Sequence, residues 1–244
     1  MGSEMCIRDS YYHWFIDCLP RLAFLEGETW AGRPLVVVAP ADLPEFALQT
    51  LVLFQNKFHN VEVEFISKGE TWEIPDLLVP TCTSRHWAGC LHPQAARFVR
   101  ELVLDGFGID LDASAGRRLF VSRRQARNRR IRNEAAFELA LSELGFESVV
   151  LEQYPLIDQM RLMASASIII SPHGGGLTNT LFCPPGTVVV EMFPERRKYP
   201  HYYFLCKTLG LPYAHITGSP ADRALDFSVP TEQVVQMLRT LELH

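Results

Sequence analysis

In "SPHGGGLTN", residues 171–179, a histidine and three consecutive glycines follow directly on the apolar run "SIII". At Gly174, Gly175 and Gly176 the chain is free to adopt positive φ, and no Cβ keeps a ligand from the backbone amides. A helix beginning there offers unpaired N–H groups and a partial positive charge, which suits a phosphate. His173 is placed to donate to the same oxygen. Thr178 and Asn179 follow as caps or ligand contacts. A tight turn whose glycines only let strand and helix pack would carry the same residues.

The second group is cationic. Residues 117–132 carry eight arginines and no acid. A solvated face or a nucleic-acid patch would read similarly, but Arg123 and Arg124 come immediately after the buried-strand pattern "RLFVS". A guanidinium on that rigid mount can fork onto a diphosphate. Asn133 reads as the N-cap of the next helix. A third candidate, Glu191, ends "TVVVE", where a carboxylate can accept hydrogen bonds from ribose hydroxyls; a solvated strand end is the alternative.

The elements that must position these residues are legible as alternation. In the second half, strand patterns at "RLFVS", "SVVL", "SIIIS", "TVVVEMF" and "YAHI" are separated by amphipathic helical patterns. These include "EAAFELALSELG", "PLIDQMRLMAS", "LTNTLFC" and "YYFLCKTLG", the last ending at Gly210. Strands apolar on both faces, separated by helices, predict a parallel sheet covered on both sides. In such sheets ligands bind beyond the carboxyl ends of the strands, where strand order reverses. The candidates all sit there.

The first half predicts fewer elements. A helical run, "YYHWFIDCLPRLAFLE", is ended or kinked by Pro20 and puts His13 and Asp17 on one face. Strands are expected at 34–39, 61–66 and 76–80, with helices near 43–56 and over "HPQAARFVRELVLDGFG". The polar stretch "GIDLDASAGRR" marks the boundary. Residues 1–10 read as a tag remnant or artefact, 11–112 as an N-terminal Rossmann-like domain and 113–244 as a C-terminal one.

With 48% hydrophobic residues and a formal charge of −5, the 244-residue chain does not read as a nucleic-acid binder. No apolar run approaches the roughly 20 residues that span a bilayer. Six scattered cysteines without a secretory signal suit a reducing compartment. Cys82, His86, Cys90 and His92 lie close together, but their spacing fits no standard zinc finger. An esterase reading of "HGGG" fails because the chain contains no G-x-S-x-G. A Rossmann dehydrogenase would need G-x-G-x-x-G after the first strand of its half.

Three blocks, "YYHWFIDCLPRL" (11–22), "FVSRRQARNRRIRNE" (120–134) and "ISPHGGGLTNTLFCPPGTVVVEMFP" (170–194), together resemble glycosyltransferase family 61. The resemblance implies an α/β, GT-B-like architecture of two Rossmann-like parallel-sheet domains facing a cleft. The N-terminal domain, short of strands, reads as truncated. It implies an inverting, metal-independent transferase, with no cofactor beyond a nucleoside-diphosphate sugar as co-substrate. The acceptor would be a hydroxyl of a glycan or lipid-linked saccharide, as in polysaccharide biosynthesis. Arg123 and the turn from His173 to Gly176 would hold the diphosphate, with Arg124, Thr178, Asn179 and Glu191 beside them. Asp17 would act as the base, with His13 positioning the acceptor or donor. The chain's D-x-D, "DLD" at Asp110 to Asp112, sits in the expected linker and offers poor metal geometry there. A cytoplasmic location, at the inner face of a membrane if peripherally bound, follows as an expectation. The rival of a different class is a nucleotide- or anion-binding module without catalysis.

Overall fold

The computed structural model describes residues 11–81, 83, 89–111 and 116–241. Cys82 and His86 of the Cys/His group lie outside the described residues, as do Asp112 and the first ten residues. The chain divides between Asp110 and Leu111 into two compact units.

The N-terminal unit opens on one helical turn, Tyr11–His13, which widens into a π-helical turn, Trp14–Cys18, and then tightens into a 3₁₀ helix, Leu19–Glu26. Pro20 explains the change of winding. Its ring lacks an N–H and would collide with the carbonyl four residues back, so a regular α ladder cannot pass through it. The Leu19 N–H instead reaches the Trp14 carbonyl. Phe15, Ile16 and Leu19 are fully buried. Trp14 Nε1 donates to Thr50 Oγ1 at 2.8 Å, fixing this segment to helix α1, Glu45–Lys57. Helix α2, Pro93–Phe107, packs against α1, and Gly106 gives way to the Leu53 side chain there.

Two strands, β1 (Leu35–Pro40) and β2 (Val61–Ile66), pair in parallel from Leu35↔Val61 to Pro40↔Ile66. The third strand expected at 76–80 does not form. Pro75 and Pro80 bracket the run and neither can donate to a ladder. Its apolar side chains Leu77, Leu78 and Val79 stay exposed.

The C-terminal unit is the predicted covered parallel sheet. Its strands are β3 (Arg117–Val121), β4 (Phe146–Val149), β5 (Ala166–Pro172), β6 (Val188–Phe193) and β7 (Tyr213–Thr217). They lie in the order β4-β3-β5-β6-β7, all parallel. The chain runs outward from β3 in opposite directions, so the order reverses between β3 and β5. Neighbouring residues such as Leu119 and Phe120, or Val189 and Val190, are both buried, as a sheet covered on two faces requires.

Connections are α3 (Glu134–Ser142), α4 (Leu156–Ala164) and α5 (His201–Leu209), with α6 (Thr231–Leu241) closing the chain. α5 ends at Gly210 in the left-handed region. One face of the sheet packs Phe120, Ile170, Val190 and Met192 against Phe137, Phe227, Val234 and Leu238. β4 starts two residues earlier than its apolar pattern suggested, because Arg118 pairs with Phe146 and the chain bends away at Val150. Among the described residues, no helix is long and apolar enough to cross a membrane.

Asn133 occupies the N-cap position of α3 but its side chain makes no cap bond. It clasps a distant segment instead: Nδ2 donates to the Val229 carbonyl and Oδ1 accepts from the Val229 N–H, both at 3.0 Å. The Arg130–Asp226 ion pair (2.7 Å) and the Ile131↔Phe227 bridge complete this clasp. The arginine-rich loop, residues 122–133, is thus held at its far end.

Candidate functional site

The tips of β3 and β5, the two strands at the point of reversal, carry the loop with Arg123 and the turn "PHGGG". These two features meet. A Cβ built on Gly174 would lie 1.9 Å from Arg123 Nη1 and 2.5 Å from Cζ, so the guanidinium rests against bare backbone. None of the three glycines lies in the left-handed region, contrary to the expectation, and Gly174 is simply extended. Each is small for its own reason. Gly174 makes room for Arg123, Gly176 lies close under Leu151 and Val121, and Gly175 faces open space.

The segment after the turn, Gly175–Phe182, is a 3₁₀ helix rather than an α-helix. Its opening N–H groups still lack intrahelical acceptors.

Arg123 is largely buried. Its Nη2 donates to the Asn128 carbonyl at 3.3 Å, while Nε is buried with no partner among the described residues. A second guanidinium, Arg129, shares this condition: its Nε is also buried and unpartnered. Arg129 has φ 60°, a left-handed conformation uncommon outside glycine, and its backbone N–H is held by the Ala224 carbonyl. Burial and the charge of Arg129 hold the Arg123 pKa below its usual value. Two cations are therefore confined together with donors to spare. Backbone strain at such a place is a pointer to function.

His173 lies beside them, 6% exposed. Its ring is stacked between Tyr199 (centroids 5.0 Å) and Phe193 (5.3 Å). Burial, Arg129 and Arg123 push its pKa down to about 3, so the imidazole is neutral. Nδ1 lies 2.5 Å from Glu191 Oε1, and Tyr213 donates to Glu191 Oε2 at 2.6 Å. Glu191 is wholly buried with both oxygens engaged, and burial raises its pKa to about 8. This overturns the ribose assignment: Glu191 presents no oxygen to a ligand and faces His173 instead. Strand register is the reason, since Ser171↔Glu191 pairing sets it one strand across from the turn.

Three other assignments change. Arg124 turns away from the glycines. It pairs with Glu138 and Glu134 and donates to Ser148 Oγ, in an open cleft of about 320 Å³ with Arg130, Arg132 and Asp226. Its charge is locally answered. Thr178 is fully buried and its hydroxyl meets Tyr202 at 3.4 Å. Asn179, also buried, donates to Gln159 Oε1 at 3.1 Å. Both support the turn from beneath. The sequence reading missed Arg129, Tyr202 and Tyr213. The arginine run signalled Arg129 only collectively, because its aim depends on a left-handed residue that no glycine announces.

In the N-terminal unit His13 and Asp17 do come together. Nδ1 and Oδ2 are 2.6 Å apart, both side chains partly exposed, and Arg21 Nε donates to the Asp17 carbonyl at 2.7 Å. Among the described residues there is no cluster of three or more His, Cys, Asp or Glu suited to a metal.

The Glycosyltransferase 61 family profile matches residues 11–190. Similar proteins include the human protein O-linked-mannose β-1,4-N-acetylglucosaminyltransferase 2, 37% identical over 122 residues, which is 48% of this chain and 20% of that protein. Its Xenopus laevis counterpart is 35% identical over 109 residues, 43% of this chain and 19% of the relative. A β-1,2-xylosyltransferase of Arabidopsis thaliana is 33% identical over 86 residues, 34% of this chain and 16% of the relative. The matched stretches span about a fifth of the length of these relatives. The chain belongs to the Glycosyltransferase 61 family.

Proposed function

We infer that the chain transfers a sugar from a nucleoside-diphosphate donor to a hydroxyl of a glycan or lipid-linked saccharide, with inversion at the anomeric carbon. The observation that carries this reading is the pair of half-buried guanidiniums, Arg123 and Arg129, whose buried Nε donors have no partner among the described residues beside the glycine turn. An unpaired buried charge is costly; a diphosphate answers both charges and takes up the spare donors. The C-terminal unit is accordingly the nucleotide-binding domain and the N-terminal unit the acceptor-side domain of a GT-B arrangement.

In the reaction, the acceptor oxygen forms its bond to the anomeric carbon as the bond to the diphosphate breaks on the opposite face. Asp17, hydrogen-bonded to His13, takes the hydroxyl proton. Arg123, Arg129 and the amides at Gly175 and Gly176 stabilise the charge gathering on the leaving diphosphate. This is work that a divalent metal performs in other transferases, and the reading is metal-independent. The names of two relatives specify β linkages, the outcome of displacing an α-linked nucleotide from its opposite face.

Thermal-shift screening against uridine, guanosine and cytidine diphosphates, followed by transfer and hydrolysis assays over a panel of nucleotide sugars, tests the proposal. Stabilisation by one diphosphate with turnover of its sugar supports it. Binding without turnover of any sugar leaves an anion-binding module, and absence of binding removes the reading.

A further inference from the structure

The site contains a buried chain that the displacement just described does not use: Tyr213 to Glu191 to His173. The three side chains come from β7, β6 and the end of β5. Glu191 pairs in register with His215, and Tyr213, two residues earlier on β7, projects from the same face. Tyr213 Oη donates to Glu191 Oε2 (2.6 Å), and Glu191 Oε1 meets His173 Nδ1 (2.5 Å). The His173 ring cannot readily turn, because Tyr199 and Phe193 stack on it. Nε2, the nitrogen away from Glu191, has no hydrogen-bond partner among the described residues. We propose that Glu191 is a positioning residue that sets the tautomer of His173, so that Nε2 carries a proton and offers a hydrogen bond to the diphosphate, and that Tyr213, by donating to Glu191, sets where that donor is lost.

Proton counting gives the reason. When Glu191 and His173 together hold two exchangeable protons, one lies between Oε1 and Nδ1 and the other must be on Nε2. When the pair holds only one, it stays between Oε1 and Nδ1. Nε2 then carries a lone pair that repels a phosphate oxygen. Loss of a single proton thus converts His173 from a hydrogen-bond donor into an acceptor, and the carboxyl group decides when. Burial raises Glu191 to about 8, so the donor form prevails below that pH and is lost as pH rises through it.

Other groups face this pair from each packed element. Arg123 and Arg129 reach it from the loop after β3, His215 from β7, and Tyr202 and Cys206 from α5, whose His201 ring also lies 5.8 Å from that of His173. Glu152 acts on Arg123 from the segment after β4. Burial raises Tyr202, and Cys206 to about 12, so both stay neutral through this range. Arg129 and His215 favour the ionised carboxylate, as does the Tyr213 hydroxyl, against the larger effect of burial.

The inference rests on the diphosphate reading, and the test separates the two. Calorimetry with the tightest of uridine, guanosine and cytidine diphosphates, from pH 6.5 to 9.5, should show affinity falling about tenfold or more across a midpoint near 8, the scale of one charge-assisted hydrogen bond. Glu191→Gln cannot ionise, and its amide can donate to Nδ1 while its oxygen accepts from Tyr213. It should bind as the wild type does at pH 6.5 and lose the alkaline decline. Tyr213→Phe removes a bond that favours the carboxylate and should move the midpoint upward. If both variants only weaken binding equally at every pH, the positioning role is overturned. The imidazole tautomer, read by nitrogen-15 NMR of the unliganded protein, decides the matter even if no diphosphate binds. Nε2 should be protonated at pH 6.5, losing its proton near 8 in the wild type and retaining it in Glu191→Gln. A bare Nε2 at pH 6.5 overturns the proposal.

Discussion

Arg123 and Gly174 exclude each other's growth: the space a methyl group would need at position 174 is the space Nη1 occupies. Gly174→Ala should therefore push the guanidinium from its seat. A nucleoside diphosphate should bind about tenfold more weakly or worse, on the scale of one charge-assisted hydrogen bond. Gly175→Ala meets no protein atom within 4 Å, so it leaves Arg123 in its seat and can weaken binding only by crowding the ligand at the amide. Wild-type affinity in Gly174→Ala, read by calorimetry, would show that Arg123 does not touch the ligand.

Consecutive arginines should behave oppositely. Arg123→Ala should abolish most diphosphate affinity and leave the fold intact, since it removes a buried cation held close to Arg129. Arg124→Ala should keep diphosphate affinity within about twofold and cost no more than ~1 kcal/mol of stability, because its ion pairs to Glu134 and Glu138 are half-exposed. Binding isotherms and urea melts on the two proteins check both halves. A loss of affinity in Arg124→Ala alone reverses the assignment.

Asp17→Asn should collapse turnover by about a hundredfold or more, the usual contribution of a general base. Binding of the nucleoside diphosphate should be unchanged. The 2.6 Å contact with His13 makes His13→Gln a milder variant, since Gln can still donate to the carboxylate. Steady-state rates with saturating nucleotide sugar distinguish the two, and normal turnover in Asp17→Asn removes it as the base.

Acid should unfold the protein partly through His173. In the unfolded chain an imidazole takes its proton near pH ~6.5, whereas the folded ring resists until about 3. Between these values the unfolded state binds the additional proton, so stability from this group is full above 6.5 and declines as pH falls toward 3. His173→Asn should show a shallower loss over that window in urea melts at stepped pH. Parallel curves for variant and wild type would mean that His173 is charged in the folded state.

The βα alternation was legible because the central C-terminal strands are apolar on both faces, as Leu119–Phe120 and Val189–Val190 are, and each helix is bounded by glycine or proline signals. The glycine turn and Arg123 were readable for the same reason: both sit one residue or two past a strand. What sequence hid was lateral. Nothing in "TVVVE" tells that Glu191 faces His173, because that depends on the register of two strands joined through fifteen intervening residues. Nothing marks Arg129 among eight arginines, because its aim requires φ 60° in a residue with a side chain. In the N-terminal unit the apolar run at 76–80 resembled a strand by composition alone. Pairing needs a neighbour, and composition does not supply one.

The clasp of Asn133 on Val229 and of Arg130 on Asp226 has a bearing on how this chain tolerates shortening. The polypeptide that leaves the last strand doubles back and latches the very loop that presents Arg123 and Arg129. Removing the final two dozen residues would unbuckle that loop and at the same stroke strip Phe227, Val234 and Leu238 from the sheet face they cover, so ligand recognition and the fold would fail together.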